Sequence, residues 1–257
     1  MSVNLNNTGT QRAQRTTTPN YNSAYTLLLW VQVDDYNNAR IVFKTRVDDS
    51  NYDQVYVGGN RKFHCNGVSG GTDQHQGDSD YMTSIGTWAA YALVRTSATE
   101  LRQYAGPNPD ALVETIHGGA TIAGRAAAVE LNLGSSGVDA DDLGLSGRVA
   151  GARMYASALT QAQIATELKS AQPVLAGSWG SWRLGSVTEI TDDSGNARPL
   201  TLNGTPTTSG LQPPSPWGMS ATASGSMISG TTQSDLVAGA AKILTTTLVG
   251  GETFIPD

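Results

Sequence analysis

Ser146-Gly-Arg-Val-Ala-Gly-Ala-Arg-Met-Tyr-Ala-Ser-Ala-Leu-Thr-Gln-Ala-Gln-Ile-Ala-Thr-Glu-Leu-Lys-Ser-Ala-Gln-Pro173 reads as a strand, a tight corner and one short helix. Thr160 is placed as N-cap with Gln163 three residues on, so each side chain can satisfy an orphan amide of the first turn. Leu159 before the cap and Ile164 at the fourth helical position form the matching hydrophobic staple. Ile164, Leu168 and Ala171 then give one apolar stripe, and Pro173 ends the helix. No other stretch carries a comparable amphipathic helix pattern.

The rest of the chain alternates like strands. Tyr25–Val33 is apolar on both faces, as a central sandwich strand should be. Arg40–Val47 is expected to point Ile41, Phe43 and Val47 inward, with Arg40, Lys44 and Arg46 outward. Tyr52–Val57 and Arg61–Cys65 read as a hairpin across Gly58, Gly59 and Asn60. Gly67–Asp80 reads as the longest polar connection. Trp88–Arg95, Glu100–Tyr104, Leu112–Ile116 and Val129–Gly134 continue the strand pattern, with Trp30 and Trp88 in the core. An edge strand is expected near Val3–Leu5, and Trp179–Leu184 and Leu200–Leu202 are expected to close the sandwich beside it. The reading is an all-β, two-sheet antiparallel jelly-roll sandwich with one short helix.

The order of these strands, with Gly147-Arg-Val, Arg153-Met-Tyr155, Ala158-Leu-Thr160 and Ile164, resembles laminin G-like (LamG) jelly rolls of the concanavalin A-like lectin and glucanase superfamily. The resemblance spans roughly residues 20–205 and rests on order and spacing more than on invariant residues. It implies the fold, and it implies carbohydrate binding or cleavage as the first activities to test. The family carries an acidic pair where this chain has Ala150 and Gly151.

Three regions are expected: a jelly roll over residues 1–212, a Pro/Ser/Gly-rich linker over 213–232, and a C-terminal β arm over 233–257. The arm has too little apolar area to fold alone. It is expected to dock on the sandwich, on a sister subunit in a homo-oligomer, or on another protein.

Composition narrows the partners. The 257 residues are 39% hydrophobic, enough for a core, and carry a net charge of −6. That balance lacks the basic stripe of a protein that tracks nucleic-acid phosphates. No stretch approaches the roughly 20 apolar residues of a membrane span. Cys65 is the single cysteine, so no internal disulfide can form. The first residues lack the apolar core of a signal peptide. A chain folded in a reducing cytoplasm but built on a mostly extracellular fold is expected in a virion, as a phage decoration, fibre or tail component among other capsid or tail proteins. A free carbohydrate-binding module or adhesin is the alternative reading, and a glycoside hydrolase a further one.

Glycosidases need two carboxyl groups about 5 Å apart for retention, or roughly 6.5–9.5 Å for inversion. Glu100, Glu114, Glu130, Glu167, Glu189 and Glu252 are isolated from one another in sequence, so a non-enzymatic role is expected. No nucleophile elbow, zinc spacing or dinucleotide fingerprint occurs, and no organic cofactor is expected. His64 is expected to face solvent, and His117 to border a glycine turn. Sugar binding would use aromatic rings with Asp or Asn to fix hydroxyls. Tyr36, Tyr52, Tyr56 and Tyr81 lie on or beside polar turns, and the candidate ligand-binding residues are Tyr36, Tyr52, Asp78, Asp80 and Tyr81. Calcium takes six to eight hard oxygen ligands. Asp139, Asp141 and Asp142 are the candidate metal ligands, with Asp73, Asp78 and Asp80 a second acidic cluster. The competing reading is that these aspartates only stabilise turns.

Overall fold

A computed structural model describes residues 2–6, 11–16, 24–37, 40–119, 130–135, 144–184, 190–209 and 213–214. All fall within one unit, Met1–Met219. Most of the expected linker, the whole C-terminal arm and the Asp139–Asp142 cluster lie outside the described residues.

In chain order the strands are β1 (Ser2–Asn6), β2 (Arg12–Arg15), β3 (Tyr25–Val33), β4 (Arg40–Asp48), β5 (Asn51–Val57), β6 (Lys62–Ser69), β7 (Thr72–Met82), β8 (Trp88–Ser97) and β9 (Glu100–Gly106). They continue with β10 (Val113–Gly118), β11 (Glu130–Leu133), β12 (Ser146–Tyr155), helix α1 (Gln161–Lys169), β13 (Ser178–Arg183), β14 (Thr201–Asn203) and β15 (Thr207–Ser209). One antiparallel sheet runs β10-β9-β8-β3-β12-β1-β15, with β13 also on β12. The other runs β14-β2-β11-β4-β5-β6-β7. The chain is the two-sheet jelly-roll sandwich that its strand pattern and its resemblance both imply.

Strand β3 is buried along its whole length, between β8 and β12. Leu27, Leu29, Val31 and Val33 enter the core between the sheets. Leu28 and Trp30 face the other way, into a second apolar cluster with Trp88, Ile164 and Leu168 beneath α1. At about 25 cal/mol per Å2 of apolar surface, each fully buried aliphatic side chain contributes roughly 1.5–3 kcal/mol. Two apolar faces on one strand thus hold both the sandwich and its helix.

Helix α1 begins as its sequence dictates. The Thr160 side chain accepts from the Gln163 amide at 3.3 Å, and Gln163 Oε1 accepts from the Thr160 amide at 2.9 Å. Leu159 and Ile164 are both buried. The helix stops at Lys169, with Ser170 as C-cap, so Ala171 lies past its end. Glu167 sits unexpectedly among the buried residues. Arg153 of β12 donates to its carboxylate at 2.6 Å, to the Glu167 carbonyl at 2.7 Å and to the Ser170 carbonyl at 2.6 Å. The other Glu167 oxygen accepts from the Val174 and Leu175 amides. One ion pair therefore fixes the helix, its C-terminus and the following chain. Ala150, at a register shift in β12, is fully buried in the cluster under the helix, where a carboxylate would need a buried partner.

A second buried pair spans the sandwich. Asp53 of β5 accepts from Arg95 of β8 at 2.6 Å and from the Tyr25 hydroxyl of β3 at 2.8 Å.

Four expectations are corrected. Gly67–Asp80 is not a connection: it forms most of a β6–β7 hairpin that turns at Gly70 and Gly71, whose φ angles are 61° and 76°. Two positive φ angles suit a tight hairpin turn, and glycine adopts them without Cβ strain. Arg40 does not face solvent but is 1% exposed and paired with Asp35. A register shift between Ile41 and Phe43 puts Val42 beside Phe43 in the core, breaking the expected alternation. Finally, β1 is no edge strand, because β12 and β15 flank it, while β14 covers β2 in the opposite sheet.

Candidate functional site

Alternation along β5 places Tyr52, Gln54 and Tyr56 on the outer face of the seven-stranded sheet, while Asp53, Val55 and Val57 point inward. Strand β6 repeats this, with His64 and Asn66 outward and Phe63 and Cys65 in the core. Pairing sets Tyr56 opposite His64, and His64 opposite Asp78. Three residues from three strands thus form one row across the sheet. At its end the β5–β6 turn closes with the Arg61 amide donating to the Gly58 carbonyl at 2.9 Å.

Tyr56, Gly58, Gly59, Asn60, His64 and Asp78 line a depression of about 350 Å3. The Tyr56 and His64 rings stack with centroids 4.7 Å apart and planes 30° from parallel. His64 Nδ1 lies 2.8 Å from Asp78 Oδ1, and Asn60 Nδ2 donates to Asp78 Oδ2 at 2.7 Å. A carboxylate only accepts, so Nδ1 carries the proton and Nε2 is an acceptor in the neutral ring. Asn60 Oδ1 accepts from the Lys62 amide at 3.0 Å, which fixes the amide orientation. Asp78 therefore orients both neighbours. Burial, then the negative Asp78, pushes the Tyr56 phenol above its usual range, so it stays a neutral donor and acceptor. The depression offers an aromatic ring with polar groups at its rim, which is the chemistry of sugar contact.

Of the five expected ligand residues, only Asp78 lies here. Tyr36 is 8% exposed, and its hydroxyl bonds Thr83 at 2.7 Å. Thr83 in turn bonds the Arg61 carbonyl through both its amide and its hydroxyl, so Tyr36 buttresses the turn behind the site. Tyr52 lies on the same outer face, under the Lys44 ammonium at 4.0 Å. Tyr81 packs against the core. Asp80 is exposed, and its amide donates to Thr115 of β10. Asn60 and His64 were not among the expected ligand residues.

The glutamates are not all isolated. Pairing of β9 with β10 brings Glu100 and Glu114 to one guanidinium, Arg102, at 2.7 and 2.8 Å. Hydrogen bonds from Thr96 and Arg102 hold Glu100 below its usual range. The Tyr104 hydroxyl, then Arg102, does the same for Glu114. Both are held ionised, whereas glycoside cleavage needs one protonated acid. Cys65 is inert, since burial pushes its thiol up to about 12. Among the described residues no three His, Cys, Asp or Glu side chains converge to hold a metal ion. Asp78 of the second acidic cluster spends both oxygens on His64 and Asn60, and the Asp139, Asp141 and Asp142 expectation falls outside the described residues.

The chain is thus a two-sheet antiparallel jelly-roll β-sandwich with a polar aromatic depression on one sheet face. The profile of the Laminin_G_3 family, of the concanavalin A-like lectin/glucanases superfamily, matches residues 6–165, and the chain belongs to that family. No curated protein matches it in sequence. Among solved structures it is similar to a Bacteroides ovatus protein to which carbohydrate binding has been ascribed, at 14% identity and a TM-score of 0.54. That alignment covers 80% of this chain and 61% of the other, so this chain spans about three fifths of that relative. It is also similar to a heptameric SAP-like pentraxin from Limulus polyphemus, at 13% identity and a TM-score of 0.53, covering 79% of this chain and 94% of the pentraxin. These likenesses establish the fold. No helix among the described residues is long and apolar enough to cross a membrane.

Proposed function

We propose that the chain binds carbohydrate without cleaving it, at the Tyr56 depression, and serves as a decoration, fibre or tail component of a virion. The observation that carries the sugar reading is the Tyr56–His64–Asp78–Asn60 constellation: stacked rings beside an oriented carboxylate and amide, in a depression of about 350 Å3. The Bacteroides relative supports it through the function ascribed to that protein. The ionised Glu100–Glu114 pair supports a role without hydrolysis. For the virion role, the support is a single cysteine, buried as a free thiol and compatible with folding in a reducing compartment. A Pro-rich stretch at 213–216 ahead of a β-patterned tail suits an attachment arm.

A glycan array run with calcium and with chelator tests the first half. Binding that survives the chelator and disappears in Tyr56→Ala is expected, and no binding at millimolar sugar would sink the reading. Release of new reducing ends from any polysaccharide would instead make the protein a hydrolase. The virion half predicts co-purification with particles, and release on deleting residues 213–257. Retention of the truncated protein would show that the arm is not the anchor.

A further inference from the structure

Asp78 does more than border the depression: it decides which nitrogen of His64 stays unused. Nδ1 is committed to Asp78, and among the described residues no hydrogen bond is made by Nε2. With the ring neutral, the lining carries one uncompensated charge, the Asp78 carboxylate, and Nε2 offers only a lone pair. A sugar hydroxyl suits either state of that nitrogen, since it both donates and accepts. A sugar carboxylate does not, because it can only accept and is repelled by Asp78.

We infer that His64 protonation sets the charge class of sugar this site takes: neutral sugars throughout, and carboxylate-bearing sugars only once the ring is an imidazolium. The inference rests on the sugar-binding reading of the same depression. Protonation places a donor at Nε2 and cancels the Asp78 charge. Lys62, on the same outer face of β6, opposes the cation, and the other groups facing the ring bear on it as follows. From β5, the Tyr56 ring stacks on it at 4.7 Å, 30° from parallel, and can meet it through its π face. From β7, Asp78 becomes an ion-pair partner at 2.8 Å. From β10, His117 adds a repulsive charge only if it too is protonated, and burial followed by the His64 charge holds it below its usual range. Asp73 and Asp80 of β7 are the remaining nearby carboxylates, acting on Tyr56 and His117 respectively. Histidine is the side chain that changes charge between pH 5 and 8, while a sugar carboxylate stays ionised across that range.

The test measures full-chain affinity for neutral oligosaccharides of glucose, galactose and mannose and for their uronic-acid counterparts, at pH 8 and pH 5. The ratio of acidic to neutral affinity is expected to rise about tenfold or more on acidification. Its midpoint should coincide with the His64 titration followed by NMR of the imidazole protons. Asp78→Asn should raise the ratio at pH 8, and His64→Gln should make it independent of pH, whereas His117→Gln should leave its pH dependence in place. A ratio unchanged between the two pH values, or a midpoint that follows His117 or His75, overturns the inference while leaving sugar binding intact. Absence of binding to every sugar at both pH values overturns the binding reading itself, and this one with it.

Discussion

The two sheets show their outer faces to different things. The eight-stranded sheet hides its face under α1, where Arg153 reaches the Glu167 carboxylate, two carbonyls and the Ser181 hydroxyl, and Glu167 spends both oxygens. Among the described residues, the seven-stranded sheet leaves the Tyr56 depression uncovered. There the hydrogen-bonded pair, His64 and Asp78, is partly exposed, at 20% and 39% for its side chains, against 1% and 0% for Arg153 and Glu167. The same chemistry therefore has opposite consequences. A buried pair that loses one partner leaves a charge stranded away from water, whereas an exposed pair is worth little to stability and leaves valences free for a ligand.

Variants can break this contrast. The largest stability losses belong to the buried pairs: Glu167→Ala and Asp53→Ala should each cost about 3–5 kcal/mol, read from urea midpoints. A loss under about 1 kcal/mol in either would mean that its partner finds water or a second acceptor. Next comes Gly147→Ala, whose Cβ would lie 2.0 Å from the Gln32 carbonyl oxygen of the neighbouring strand. It should cost more than about 1 kcal/mol, since backbone rather than a flexible side chain must move. Thr160→Ala removes one half of the capping box and should cost about 1 kcal/mol. Asp78→Ala, on the open face, should stay within about 1 kcal/mol of the wild type while reducing sugar binding.

The smallest effect is a pH dependence at the seam between β7 and β10. Tyr91 donates to Gln103 Oε1 at 2.8 Å, so the Gln103 amide nitrogen faces Gly77 and His117 Nε2. That geometry requires His117 to accept, which only the neutral ring can do. Burial, then the His64 charge, lowers its folded-state value below that of the unfolded chain. Its contribution is therefore complete above about pH 6.5 and falls as the pH drops toward the folded-state value, because the unfolded chain takes the proton first. Melting temperatures from pH 8 to pH 5 should show this slope, and His117→Gln should flatten it.

The contrast also explains what the sequence disclosed. The helix start was legible because Thr160 and Gln163 satisfy each other within one turn, and β3 because both its faces are apolar. Glu167 was not, since its partner Arg153 comes from a strand 14 residues away. Strand β7 was hidden because its buried positions are His75 and Ser79 rather than aliphatic residues. Missing β7 as a strand hid the site: without the β6–β7 register, nothing places Asp78 beside His64. Gly70 and Gly71 carried the hairpin signal, inside what reads as one polar run. Tyr56 lay on a recognised strand, but its role depends on pairing across two hairpins.

In the proposed function, Tyr56 is the platform of the sugar site. The direct measurement is calorimetric titration of wild type and Tyr56→Ala with the best glycan from an array, alongside their melting temperatures. The expected result is binding weakened at least about tenfold, or roughly 1.4 kcal/mol, with little change in melting. Equal affinity in the two proteins would contradict it.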